Sequence, residues 1–520
     1  MTYNAQLHIL PFSKGEFLSI FNDISCCYYG IQMAILYKYK YLICIFVLLM
    51  IATYVKASTN LDIGNDVYDV LHRLEVEGVI RSGLLTTKPL SRKEIIRLIL
   101  EAERNSEDRS GLILGQIEWL KKKFRADLVG SKHITPLDKV TVRYIHADDE
   151  PSELSFNNDG DDYDDGSNFR LGFSSRAELD WLSLYVNPEV RYSHSDTDLE
   201  LVKAYGVLNF LGMDLEIGKD SQWWGPGYHG AILLTNNPEP LTMVKLSNSY
   251  PLSLPWILEP LGLFKFTTFV SRLGEDRVVP KPLIWGLRLN LKPNPYIEIG
   301  IERTAIFGGK GHPEGFSTWW DVIRGKGDVD NNVAGDQRAG FDMTLTLPFE
   351  SQPLQIYFEA DGEDEAARLP SKWAYLMGLY LPRVADFEKI GFRAECADNH
   401  IPGSPNVWYN NYIYQTGYRY EGRIIGHHMG TDSKDLFLEV SYLIPEVNGK
   451  LSIAYDNMVH NLSGDVNEKK QEIYVKADLD LTESLRINAA YGYGKIKNID
   501  NIPGHDDNIN TFLIQLNYYF

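Results

Sequence analysis

Two hydrophobic periods divide the chain. From Ser58 to about Asp138 apolar residues recur at helical spacing. Val67, Val70, Leu71 and Leu74 form one stripe, and Gly78 follows as a stop. Ser91 with Glu94 fits a capping box, in which serine oxygen and glutamate side chain satisfy free amides at a helix start. Ile95, Ile96, Leu98 and Ile99 supply the buried face behind it. Leu112, Ile113, Ile117, Leu120 and Phe124 make a third stripe. This spacing predicts a small bundle of three short helices over residues 58–138.

From about Lys139 the period is two. Between Glu472 and Leu481, Ile473, Val475, Ala477, Leu479 and Leu481 share one face. Glu472, Tyr474, Lys476, Asp478 and Asp480 share the other. In a soluble sandwich the apolar face would pack on a second sheet. In a membrane barrel it would face lipid, and the charged face would line a polar lumen. Three features favour the barrel. The alternation recurs, as in Leu283 to Leu291 and Leu436 to Ile444. Several turns are short, as at Pro293-Asn294-Pro295 and Asn448-Gly449. Other connections are long and polar, as from Asp148 to Gly166 and Gly308 to Asp336. The segments number about 18, an even count within the bacterial range. The expected fold is an all-β transmembrane barrel of about 18 antiparallel strands over residues 139–520, preceded by the helical bundle.

Residues 1–57 read as a leader and signal peptide. Lys38 and Lys40 precede an apolar run from Tyr41 to Tyr54, then Val55-Lys56-Ala57. That run falls short of the roughly 20 residues a spanning helix needs, which disfavours a membrane anchor. Met33 is a candidate true start, and the expected cut follows Ala57. No later segment is apolar enough to span as a helix, so insertion must be by strands.

The net charge is −19. The residues before Ser58 carry two more positive than negative charges, and their loss takes −19 to −21. This charge argues against nucleic acid as a partner, because a phosphate backbone needs a basic surface. Aromatics make up 12% of the chain, with 31 tyrosines, as suits rings at a membrane–water boundary. Of Cys26, Cys27, Cys44 and Cys396, only Cys396 would survive processing, so no internal disulfide is expected.

One stretch fits neither period. Gly218 to Pro240 reads GKDSQWWGPGYHGAILLTNNPEP, with glycine and proline on both sides of two tryptophans. It predicts a shaped loop or plug folded against the barrel. With a second stretch, GYRYEGRIIGHHMG from Gly417 to Gly430, it resembles the Wzi-type capsule assembly proteins of the bacterial outer membrane. The resemblance covers roughly everything after the export segment. It implies helices on the periplasmic side, long loops outside the cell, and a role in binding capsular or extracellular polysaccharide and assisting its assembly or attachment. The chain ends NTFLIQLNYYF, with Phe512, Ile514, Leu516, Tyr518 and Phe520 on one face. This resembles the terminal strand read by the outer-membrane insertion machinery, although an edge strand of a soluble protein could look the same. The expected partners are therefore polysaccharide, outer-membrane lipid and that machinery.

The candidate chemistry is binding chemistry. Trp223 and Trp224 could stack on sugar faces while Lys219, Asp220 and Gln222 bond hydroxyls, or they could anchor the plug with each indole N–H satisfied locally. Arg419, Arg423 and His427 of the second stretch suit acidic sugars, or pair with carboxylates in a polar lumen. No Cys/His cluster marks a metal site, and neighbouring His427 and His428 on a strand would point to opposite faces. No tightly bound cofactor is expected. The acidic run Asp159 to Asp165 lacks an EF-hand's ligand spacing; it could hold calcium loosely or be a solvated loop. GxSxG, HExxH and phosphate-loop motifs are missing, so no enzyme is expected. Two rival functions keep their place: a porin or oligosaccharide channel, and a surface glycan hydrolase, which needs only two suitably spaced carboxylates.

Overall fold

The computed structural model describes residues 56–130, 132–148, 151–194, 196–324, 335–366 and 369–520. The export segment, including Met33, lies outside them. The described residues belong to one compact unit.

The period-two region folds into a closed antiparallel barrel of 18 strands with one short extra strand, Leu252–Ser253. In chain order the strands are β1 His133–Ala147, β2 Gly166–Glu178, β3 Leu182–Tyr192, β4 Thr197–Phe210, β5 Met213–Asp220 and β6 Leu241–Asn248. Then come β7 Leu263–Arg272, β8 Leu283–Asn294, β9 Ile297–Phe307, β10 Gly335–Leu347, β11 Leu354–Ala366 and β12 Leu369–Leu381. The last six are β13 Ile390–Asp398, β14 Lys434–Ile444, β15 Gly449–His460, β16 Glu468–Asp480, β17 Leu485–Lys497 and β18 Asp507–Tyr519. Closure comes from β1 pairing with β18, from Lys139 opposite Tyr519 to Ala147 opposite Thr511. Among the described residues the barrel sheet therefore has no free edge to template aggregation.

The faces sort as the alternation requires. Ile473 and Val475 are about half exposed on the outer wall, whereas Glu472 and Tyr474 beside them are buried in the lumen. Outward Phe341, Met343, Ile356, Tyr375 and Met377 continue an apolar belt of the kind that lies in hydrocarbon. Phe512, Leu516, Tyr518 and Phe520 of the terminal strand face outward with it.

The bundle packs where the turns are short. Its helices are α1 Val67–Val76, α2 Arg92–Arg104, α3 Gly111–Lys123 and the single turn α4 Arg125–Val129. Val67, Leu71, Leu74, Ile95, Leu98, Ile99, Ile113, Ile117, Leu120 and Phe124 form its core. Leu112 stays outside that core. Gly78 takes a φ of 75°, the left-handed turn that ends a helix. Half of the capping box forms: Ser91 Oγ accepts the Glu94 N–H at 3.4 Å, while the Glu94 carboxylate turns to Arg97 at 2.6 Å. The expected domain boundary at Asp138 falls inside a strand. His133 to Thr135 already pair with β2, and the register then shifts around Pro136, whose missing N–H interrupts the ladder.

The bundle docks on the inward wall through ion pairs. Lys292 of β8 reaches Glu75 at 2.5 Å, Lys450 of β15 reaches Asp69 at 2.7 Å, and Arg486 of β17 reaches Asp66 at 2.6 Å. Between α1 and α2 the chain rises into the barrel as a finger, where Thr87 and Lys88 pair with Trp224 and Trp223. A fifth helix, α5 Phe316–Ile323, covers Trp285 and Phe307 on the outer wall, with Trp319 edge-on to Trp285 at 6.4 Å.

Candidate functional site

The lumen is occupied by the chain itself. On the side opposite the bundle three loops fold inward: 151–165, 221–240 and 399–433. Their apolar side chains form one core with the inward wall. Trp224, Ile232, Leu233 and Leu234 come from the second loop, and Trp408, Tyr409, Tyr418, Ile425 and Met429 from the third. Phe269, Ile306, Tyr357 and Leu376 come from the strands.

The two unusual stretches are each other's partners. Thr235 N–H donates to Ile425 O at 2.9 Å, and its hydroxyl donates to Gly426 O at 2.7 Å. The Tyr409 hydroxyl donates to Ile232 O at 2.7 Å and accepts the His427 N–H at 3.0 Å. Wall carboxylates hold the plug backbone. Glu395 of β13 accepts from the N–H groups of Tyr228, His229 and Gly230 at 2.7, 3.1 and 3.0 Å. Glu359 of β11 accepts the Ile232 N–H at 2.6 Å. Gly225 has a φ of 123°, and a Cβ there would stand 2.5 Å from Glu359 Oε2. The glycine is thus required twice, by conformation and by the close approach.

The residues expected to meet sugar are mostly turned inward. Trp224 is fully buried, edge-on to Phe269 at 5.5 Å. Trp223 is buried beneath the Lys88 ammonium, 5.2 Å from its ring centroid. Burial pushes Lys88 down to about 8. Neither indole N–H has an acceptor among the described residues, contrary to the local satisfaction expected. Asp220 is buried and accepts from Asn60 Nδ2 at 2.9 Å. Gln222 is buried and donates to Ser221 O at 2.8 Å, and Lys219 pairs with Glu200 and Glu239 at 2.6 and 3.0 Å.

Arg423 clamps the first loop to the third, donating to Ser155 O, Asn158 Oδ1 and Asp161 O at 2.9 Å each, and to Asp162. The acidic run is only partly a solvated loop. Asp161 is buried among Arg143 and Arg170, each at 2.9 Å, and Asp159 pairs with Lys203 at 3.0 Å. His427 and His428 lie in a turn, not a strand, and their rings stack with centroids 4.7 Å apart. The premise that they point to opposite faces therefore fails. Burial, then the neighbouring His428 and His229, push His427 well below the usual imidazole range.

Arg419 stands apart. It is half-buried at the rim, and its guanidinium donates to Asn410 Oδ1 at 3.2 Å. Beside it Arg277 donates to Gly417 O at 2.7 Å, and Val278 N–H donates to Thr416 Oγ1 at 3.0 Å. Tyr412 on the same loop is 77% exposed. Sequence reasoning missed Arg277 and Tyr412, because nothing local marks which loop residues reach a rim. It also missed Glu359 and Glu395, which read as ordinary lumen lining.

These features define a class: an outer-membrane β-barrel whose lumen is filled by its own loops and closed at the other end by a helical bundle. The chain belongs to the Wzi capsule assembly protein family, whose model matches residues 146–511. It is 28% identical over 327 residues to an uncharacterized 55.8 kDa protein in the cps region of Klebsiella pneumoniae, covering 61% of this chain. The chain spans 60% of that relative's length. Its fold is similar to that of Wzi, an outer-membrane protein involved in group 1 capsule assembly in Escherichia coli and described as a carbohydrate-binding β-barrel. The TM-score is 0.75 at 22% identity, covering 89% of this chain and 100% of that one.

Proposed function

We propose that this protein binds capsular or extracellular polysaccharide at the outer rim of the barrel, without covalent chemistry, and helps to assemble or attach it there. Membership of the capsule assembly family supports the setting, as does the carbohydrate binding described for the Escherichia coli barrel of similar fold. One observation carries the reading: the inward loops pack into one core across the barrel on the side opposite the bundle, so a polymer arriving from that side meets the rim. In this orientation the bundle faces the periplasm and the long loops face the outside.

The rim patch of Arg277, Arg419 and Tyr412 has the chemistry for acidic sugars. Guanidinium groups make directed bonds to carboxylates, and an exposed ring offers a flat apolar face. Single contacts of this kind are weak, and a repeating polymer adds them through avidity. The test is retention of the host's own polysaccharide by detergent-purified protein, with calcium present. Wild-type protein should retain polymer, and Arg277→Ala with Arg419→Ala should retain several-fold less. No retention by wild type counts against the reading, and shortening of the polymer with time would favour a hydrolase.

A further inference from the structure

A cluster of imidazoles and carboxylates lies deep in the lumen, away from the rim. Glu153 comes from the first inward loop, His229 from the second and His428 from the third. Asp435 of β14 and Asp456 of β15 complete it from the wall. All five are buried, with Asp456 fully so. His229 Nε2 stands 3.5 Å from Glu153 Oε2, 3.5 Å from Asp435 Oδ2 and 3.0 Å from Asp456 Oδ2. His428 Nε2 stands 3.1 Å from Glu153 Oε2.

None of these approaches has aligned hydrogen-bond geometry. The Nε2 atoms of His229 and His428, Oε2 of Glu153 and both carboxylate oxygens of Asp456 are buried without an aligned hydrogen-bond partner among the described residues. Buried polar groups normally find partners, so a convergent set of orphans needs an explanation. Two ligands about 2.1 Å from one ion stand about 3.0 Å apart at a right angle and about 3.4 Å apart at the tetrahedral angle. The separations of 3.0 and 3.1 Å fall in that range, and the two at 3.5 Å lie just beyond it.

The surroundings agree. Lys470 donates to Glu153 Oε1 at 2.8 Å, which leaves Oε2 free to turn to the histidines. Glu472 fixes the loop by accepting from the Ser152 hydroxyl at 2.5 Å and the Glu153 N–H at 2.9 Å. The His229 ring stacks on Phe437 at 4.3 Å, which sets its plane. His427 Nδ1 accepts the Met429 N–H at 3.2 Å, so His427 faces Asp435 from outside the cluster, at 3.8 Å, as a supporting group. Among the described residues only imidazoles lie within ion-pair distance of Asp435 and Asp456. Uncompensated carboxylates at such depth are costly, and a divalent cation would balance them. Glu153, His229 and His428 also line a cavity of about 520 Å³, which gives an ion a way in.

We propose that Glu153, His229 and His428 hold a divalent transition-metal ion of the zinc class, with Asp435 and Asp456 beside His229. Two imidazole nitrogens with carboxylate oxygens suit that class better than calcium or magnesium, which prefer oxygen alone. The ion would tie the three inward loops to one another, so its role is to keep the lumen filled.

The test uses full-length processed protein in detergent, stripped with a chelator and then titrated with Zn²⁺ or Co²⁺. One equivalent of Zn²⁺ per chain should bind, Co²⁺ should develop visible ligand-field bands, and loading should raise the melting midpoint. His229→Ala should lose the bands, and Asp456→Asn should weaken uptake at least tenfold. His427→Ala serves as the milder variant should those two fold poorly, and it should keep the bands with altered intensity. Sub-stoichiometric uptake by wild type, or Co²⁺ bands unchanged in His229→Ala, would overturn the assignment.

Discussion

The imidazole of His427 occupies the space that a side chain on Gly230 would need: a Cβ there would stand 2.2 Å from the ring. Two glycine-rich stretches nearly 200 residues apart therefore fit as one joint. The same holds at Gly426, where a Cβ would meet Ile232 O at 2.0 Å. Gly230→Ala or Gly426→Ala should destabilise the plug by about 1–3 kcal/mol through overpacking. Thermal unfolding in detergent measures it, and the larger loss is expected at Gly426, where backbone must move.

Trp224→Ala removes a fully buried ring packed against Phe269. The expected loss is about 3–5 kcal/mol. Protein that remains folded should retain polysaccharide as wild type does. Lower retention at unchanged melting temperature would instead mean that the ring touches sugar.

Glu75→Ala strips Lys292 of its carboxylate while the ammonium stays buried with Gly83 O at 2.8 Å. Breaking a buried pair on one side costs about 3–5 kcal/mol. The bundle should detach before the barrel opens. Protease cleavage within residues 58–130, with the barrel intact on a gel, reports it.

Docking should also fail in acid. Burial alone would raise the pKa of Asp69, but Lys450 and Arg393 outweigh it and hold the carboxyl below its ordinary value of 3.8. Asp62 behaves alike: burial raises it, and Lys203 and Lys139 more than reverse the effect. A depressed folded pKa gives stability that is full above the unfolded value and lost as pH falls below it. The gap in melting midpoint between wild type and Asp69→Asn should be constant from pH 7 to about 5, then narrow below about pH 4. A gap independent of pH down to 3 would contradict the assignment.

Much of this was legible because local chemistry dictates it. The period-two faces of Glu472 to Leu481 sort into lumen and exterior as alternation demands. The GKDSQWWGPGYHG and GRIIGHHMG stretches announced a special fit by their composition. What could not be read was which distant residues meet. Asp435 and Asp456 look like any inward carboxylates, and only closure of the barrel brings β14 and β15 under the His229 loop. The tryptophans invited a sugar-stacking reading because the finger carrying Lys88, which covers Trp223, arrives from 135 residues earlier. Pro136 hid the first strand's start by breaking its ladder.

The account rests on a barrel sealed by its own chain, and single-channel recording tests that most directly. Purified protein inserted into a planar bilayer should be nearly silent, with conductance far below that of an open 18-stranded pore. A steady, wide ohmic current from wild-type protein would contradict it and favour the channel.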